Sequence, residues 1–197
     1  MNSKVWSLVG GREGHFKMES GLHSAYWMDL ETLCLSPTLL MPLAMELSER
    51  LRDCRADTVC GALNEGAFVG LMVARELNLK FTYSERMVRQ QKDANALFPI
   101  EYRLPKPLRS VVNGKRVVIV NDVISAGSAV RGTLTDLRAC GAYVVAIGSL
   151  LELGSEFRAF VRQQGIPYAS LEAQEFQMWE PSECPLCKEG QAIEELS

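Results

Sequence analysis

Between Val117 and Ala129 the chain runs through four apolar residues, a polar pair and a turn of small residues. Val117 to Val120 are apolar enough for a strand buried on both faces, and Asn121-Asp122 sets the polar pair at its carboxyl end. Ser125, Ala126, Gly127, Ser128 and Ala129 then precede a helix expected over Val130 to Cys140. Such a turn lets backbone N–H groups converge on an anion with the helix dipole in favour. Open α/β sheets bind ligands at the carboxyl ends of their strands. An ordinary strand-to-helix turn would use Asn121 and Asp122 only for local backbone groups. Strand end, polar pair and anion loop together favour a phosphorylated ligand.

The rest of the chain supplies a matching frame. Ser36-Pro37 followed by Leu39, Leu40, Leu43, Leu47 and Leu51 reads as a capped amphipathic helix ending near Cys54. A buried strand follows at Thr58 to Ala62, a helix from Glu65 to Leu77, and a strand from Phe81 to Glu85. Arg86 to Asn113 holds prolines and no sustained period, which predicts a long loop or an extended hairpin, and loops of that length usually serve function. Beyond the central motif, Tyr143 to Leu151 reads as a strand, Ser155 to Gln164 as a helix stopped by Gly165, and Tyr168 to Leu171 as a last short strand. Strands alternating with helices imply an α/β fold with a mostly parallel central sheet, helices on both faces and right-handed crossovers. There is no internal repeat.

Composition narrows the setting. The 197 residues are enough for one domain with a sizeable core, and 47% apolar with 23% charged residues is ordinary for a globular chain. A net charge of −3 gives no basic field for nucleic acid or an anionic membrane. No apolar run approaches the roughly 20 residues of a bilayer span, and Met1 to Gly14 lacks a secretory apolar stretch, so a cytoplasmic protein is expected. Cys34, Cys54, Cys60 and Cys140 are scattered and read as reduced core thiols. Cys184-Pro185-Leu186-Cys187 has the spacing of half a zinc knuckle, but structural zinc needs two further ligands and none lies nearby in sequence. The pair therefore reads as reduced thiols in a turn near Trp179, ahead of a structural zinc at Cys184/Cys187. His15 and His23, beside aromatic residues, read as structural or surface groups.

The segment Val117 to Ala129 resembles the PRPP-binding signature of type I phosphoribosyltransferases. The resemblance implies that Asn121 and Asp122 bind the ribose 2- and 3-hydroxyls and that Ser125, Ala126, Gly127, Ser128 and Ala129 wrap the 5-phosphate. Gly14 to Trp27 is similar to the amino-terminal motif of orotate phosphoribosyltransferases, with Tyr26 and Trp27 on the base side, and Ala129-Val130-Arg131 fits that family's arginine for the orotate carboxylate. Cys60 to Gly66 falls at the family's pyrophosphate loop and Tyr83 to Asp93 at its catalytic loop. One domain over 1–197 is implied, with 1–35 as an amino-terminal hood and 174–197 as a tail.

Activity follows from the same resemblance: orotate and PRPP give orotidine 5'-phosphate and pyrophosphate, with Mg2+ bound to PRPP and a homodimer as the working form. Asp122, Arg86 and Arg89 would carry catalysis. The departures are Asn121 in place of the first acidic residue, Glu19 and Glu65 where the orotate enzymes are basic, and a loop with Arg86, Arg89 and Lys92 but no histidine. Glu19 and Glu65 favour another acceptor base as the alternative. Asn121 and the missing loop histidine favour a non-catalytic PRPP or nucleotide regulator.

Overall fold

The computed structural model describes residues 4–9, 11–18, 21–28, 30–88, 100–175 and 177–195. The chain opens with a short helix α1 (Lys4–Leu8), a hairpin of β1 (Arg12–Lys17) and β2 (His23–Trp27), and a second short helix α2 (Leu30–Cys34). The frame then alternates as its periodicity predicts: α3 (Pro37–Leu51), β3 (Thr58–Ala62), α4 (Glu65–Leu77), β4 (Lys80–Val88), β5 (Ile100–Arg103), α5 (Lys106–Arg109), β6 (Arg116–Ile124), α6 (Ser128–Ala139), β7 (Tyr143–Leu153), α7 (Glu156–Gln164) and β8 (Tyr168–Gln174). The carboxyl-terminal segment adds β9 (Met178–Trp179), α8 (Pro185–Lys188) and β10 (Glu194–Glu195).

Six strands form the central sheet in the order β5-β4-β3-β6-β7-β8, all parallel except β5, which runs antiparallel to β4. The two-residue alternation of β6 explains why Val117 to Val120 are all apolar. Val118 and Val120 enter the core beneath α3 and α4, while Val117 and Ile119 enter the core beneath α6 and α7. Each fully buried side chain of this size contributes about 1.5–3 kcal/mol relative to exposure, so a strand buried on both faces anchors the whole motif.

Local details depart from the sequence expectations. Ser36 makes no side-chain cap; its backbone oxygen accepts from Leu39 N at 3.0 Å and Leu40 N at 3.1 Å instead. Leu39 faces outward at 47% exposure, whereas Leu40, Leu43, Leu47 and Leu51 are buried. β6 does not stop at Val120 but continues to Ile124, because β7 pairs with it through Asn121↔Ser149, Val123↔Leu151 and Ile124↔Glu152. Asn121 and Asp122 are thus held in a ladder rather than in a turn. Of the loop and the hairpin expected over Arg86 to Asn113, the hairpin is present, with Arg86↔Tyr102 and Val88↔Ile100 as partners. Arg89, Lys92 and Asp93, like Glu19, lie outside the described residues.

A second sheet, ordered β10-β1-β2-β9, forms the hood. Both ends of the chain build it: β9 lies antiparallel on β2 and β10 parallel on β1. The Glu172 carboxylate on β8 accepts from Val5 N at 2.8 Å and Trp6 N at 3.1 Å, tying the start of α1 to the edge of the central sheet. Among the described residues no helix is long and apolar enough to cross a membrane.

Candidate active site

The topology picks out one crevice. β3 and β6 are neighbours, but the chain leaves β3 through α4 towards β4 on one side and leaves β6 through α6 towards β7 on the other. This reversal is a topological switch point, where open α/β sheets leave a gap above their strand ends. Glycine brings the two halves together. A Cβ on Gly61, in β3, would overlap the backbone of Gly66 and Ala67, so the first turn of α4 rests on the strand end. A Cβ on Gly66 would overlap the side-chain oxygen of Asn121. The end of the stretch Cys60 to Gly66 therefore meets Asn121 at the end of β6.

Asn121 is 7% exposed and its Nδ2 donates to Val123 O at 2.7 Å. Downstream, Gly127 adopts φ +78° and begins α6 without a side-chain cap. A Cβ there would be strained and would also collide with the Phe157 ring. The first-turn N–H groups of a helix have no intrahelical partner, so an uncapped start presents donors and a positive dipole end to an anion. Arg131 braces this turn: its N donates to Gly127 O and its Nε to Ala126 O, both at 2.8 Å, while its guanidinium stacks on Phe160 at 4.0 Å. Ser125 Oγ faces Met178 Sδ on β9 at 3.7 Å, which brings the hood over the loop.

The crevice is anionic. Burial pushes the half-buried Asp122 carboxyl up to about 7, Glu65 at the start of α4 raises it further by its charge, and the Val123 N–H works against both. Cys34, at the end of α2, is pushed up to about 11 by burial first and by the charges of Asp122 and Glu65 second. The charges of Asp122 and Glu65 thus act on one another's neighbourhood and on the Cys34 thiol, which suits a cationic or metal-carrying ligand better than a bare anion.

Arg86 projects from the β4–β5 hairpin, whose base is fixed to α6. The buried Asp136 carboxylate accepts from Leu104 N at 2.8 Å and pairs with Arg109 Nη1 at 2.7 Å. Ser84 and Thr133 share a buried hydrogen bond of 2.6 Å. Tyr26 and Trp27 lie on β2 in the hood, with Tyr26 edge-on to Trp6 at 6.4 Å and Trp27 tilted against Phe16 at 6.3 Å. Asn121 and Asp122 lie at the end of β6, Ser125 to Gly127 form the turn that follows, and Ser128, Ala129 and Arg131 open α6. Tyr26 and Trp27 lie on β2, whose neighbour β9 carries Met178 against Ser125, and Arg86 stands on a separate arm.

Several contributors escape sequence reasoning. Cys34 shows no motif of its own, whereas Phe157 and Phe160, three apart on α7, carry a helical signal without indicating that they brace the loop. His15 and His23 are read from sequence as structural or surface groups, yet both are buried, at 3% and 7% exposure, and they meet Cys184 and Cys187. Two groups of the ligand type that the cysteine pair lacks nearby in sequence thus stand beside it from the other end of the chain.

Residues 39–158 match the phosphoribosyl transferase domain family. The chain is similar to the orotate phosphoribosyltransferase of Thermotoga maritima, with 29% identity over 90% of this chain and 87% of the relative. Similarity to the orotate phosphoribosyltransferase of Thermus thermophilus is 28% over 93% of this chain and 92% of the relative. Among solved structures, the orotate phosphoribosyltransferase of Aeropyrum pernix superposes with a TM-score of 0.63 at 22% identity, covering 86% of this chain and 90% of that one. The adenine phosphoribosyltransferase of Thermoanaerobacter pseudethanolicus gives a TM-score of 0.68 at 16% identity, covering 87% and 98%. The shared fold therefore spans enzymes for different bases.

Proposed function

Since the chain belongs to the phosphoribosyl transferase domain family, we propose that it transfers the phosphoribosyl group of PRPP to orotate, forming orotidine 5'-phosphate and pyrophosphate. The observation that supports this reading is the crevice at the switch point, where the first turn of α4 packs on Asn121 at the end of β6, the Glu65 charge reaches Asp122, and the uncapped start of α6 follows the same strand. In the transfer the bond from the anomeric carbon to pyrophosphate oxygen breaks and a bond to a base nitrogen forms, through an oxocarbenium-like ribose. Positioning and electrostatics then supply the catalysis.

Asn121 and Asp122 hold the ribose hydroxyls, and Ser125 to Ala129 hold the 5-phosphate. Arg86, with Arg89 beyond the described residues, offsets charge on the leaving pyrophosphate. Arg131 commits Nε to Ala126, and its terminal fork faces the base carboxylate, with Tyr26 and Trp27 of the hood beside the base. Mg2+ arriving on the oxygens of PRPP supplies positive charge, and the donor set fits it, since Asp122 and Glu65 are hard oxygen groups whose mutual repulsion a cation relieves. Glu65 without that cation would repel pyrophosphate.

A homodimer in the cytoplasm completes the proposal. Leu39 and Met45 on α3 and Phe68 and Leu71 on α4 leave apolar side chains 47%, 48%, 49% and 53% exposed, a surface that a second copy would cover. The test is Asp122→Ala: circular dichroism should be unchanged and turnover should fall by about 100-fold or more. Unchanged turnover would remove Asp122 from the mechanism. Glu65, with Glu19, favours transfer to another base, while Asn121 and the absence of a histidine from the loop sequence favour a PRPP-binding regulator, which would bind PRPP and form no nucleotide with any base.

A further inference from the structure

The chain contains two histidines, and both meet the Cys184–Cys187 pair. His15 lies on β1 and His23 on β2, and the cysteines stand at the start and within α8. His15 Nε2 lies 3.1 Å from His23 Nδ1, 3.4 Å from Cys184 Sγ and 3.6 Å from Cys187 Sγ, and Cys187 Sγ lies 3.2 Å from His23 Nδ1. All four donor atoms fall within 4.8 Å of one another. A tetrahedral ion with bonds of about 2.0–2.1 Å to nitrogen and about 2.3 Å to sulfur sets its ligand atoms roughly 3.3–3.8 Å apart. These four distances lie in that range or within a few tenths of an ångström of it.

The protonation pattern points the same way. His15 Nδ1 is 2.8 Å from Gln191 O, and a carbonyl only accepts, so Nδ1 carries the proton and Nε2 presents its lone pair to His23 and both sulfurs. That is the tautomer a metal takes, and the Gln191 carbonyl is the outer partner that orients the ring. Two thiolates would cancel the charge of a divalent ion, leaving a site that is neutral overall as burial requires. Two sulfurs and two imidazole nitrogens gathered within reach of one ion match the donor set of structural zinc.

We propose that His15, His23, Cys184 and Cys187 bind one zinc ion as a structural site that clips the carboxyl-terminal segment to the β1–β2 hairpin. Four protein ligands leave no open position, so the ion takes no part in the transfer reaction. Its role follows from the pieces it joins. β9 and β10 are two residues each, too short to hold a sheet edge unaided. β9 carries Met178 against Ser125, so zinc fixes the hood over the phosphate turn. This inference stands on the cluster alone and does not depend on which base the enzyme uses.

The experiment is metal analysis of the full chain, purified under reducing conditions from zinc-supplemented cells, with cobalt exchanged into the stripped protein. One zinc per chain is expected, with a cobalt spectrum of a tetrahedral site that includes thiolate-to-metal charge transfer. Cys187→Ser, which alters the most exposed ligand, should keep the circular dichroism of the parent. It should also weaken zinc binding beyond the roughly 10–100-fold typical of losing an outer-sphere partner. Zinc well below one per chain after titration, with no tetrahedral cobalt band in the unsubstituted chain, overturns the proposal. Full zinc retention by the Cys184→Ser/Cys187→Ser variant overturns it as well, as does a Cys184–Cys187 disulfide that forms in the presence of zinc and excludes it.

Discussion

Gly66 and Asn121 are locked together: the bare Cα of Gly66 leaves room for the Asn121 side-chain oxygen, and any Cβ at Gly66 would overlap it. This contact joins the first turn of α4 to the end of β6, the two elements that bound the crevice. The same side chain donates Nδ2 to Val123 O at 2.7 Å, so the amide nitrogen is committed to the strand end. An amide at this position therefore has a structural reason independent of substrate.

Asn121→Asp should expose that reason. The substitution removes the donor to Val123 O and adds a carboxylate beside Asp122 and Glu65. Losing a buried hydrogen bond of this kind costs about 1–3 kcal/mol, so the ligand-free Tm should drop by several degrees at neutral pH. Mg2+ with PRPP should recover most of the drop, because the ligand supplies the missing cation. Thermal melts with and without Mg-PRPP read both effects, and a higher ligand-free Tm would contradict them. A rise in turnover in the same variant would mark a weakened enzyme; none would leave the regulator standing.

Asp122 sets a pH dependence of definite sign. Its carboxyl rises from an ordinary 3.8 to about 7 on folding, so between those values the folded chain keeps a proton that the unfolded chain has lost. The group's contribution to ligand-free stability is therefore most favourable at low pH, declines as pH rises from about 4 to about 7, and is flat above that. Asp122→Asn should remove the penalty and raise the ligand-free Tm at pH 8 by about 2–8 °C. PRPP binding needs the carboxylate, so affinity should weaken as pH falls below about 7, with proton release on binding at pH 6. Calorimetry in buffers of different ionisation enthalpy would detect the proton; its absence, with affinity level between pH 8 and pH 6, would be inconsistent with this assignment.

Asp136 tests the arm. It holds Leu104 N and Arg109 at the base of the β4–β5 hairpin that carries Arg86. Asp136→Asn weakens both bonds, and loss of charge-assisted hydrogen bonds at a buried residue costs on the order of 1–3 kcal/mol. The denaturant midpoint should fall accordingly, and kcat should fall more than PRPP affinity, since the arm serves the leaving group and not the phosphate turn. An equal loss in both would tie Asp136 to the crevice itself.

The frame was readable wherever one physical signal dominated. Thr58 to Ala62 and Glu65 to Leu77 were legible to the residue because a short apolar run and a clean helical period have few competing structures. The end of β6 was misjudged because polar Asn121 and Asp122 resemble a turn, and only the neighbouring β7 shows that they belong to the ladder. Ser36 has the right chemistry for a cap but leaves that work to its backbone. The glycine turn before α6 was legible because its small residues are local in sequence. The metal-ligand cluster was not, because His15 and Cys187 are joined only through pairing of the two chain ends in the hood.

The decisive measurement is product analysis by mass spectrometry after incubating the chain with Mg2+, PRPP and a mixture of orotate, uracil and purine bases. Orotidine 5'-phosphate and pyrophosphate should form together and disappear in Asp122→Ala. A different nucleotide would reassign the base, and failure to bind or consume PRPP at all would contradict the assignment of Asn121 to Ala129 as its site.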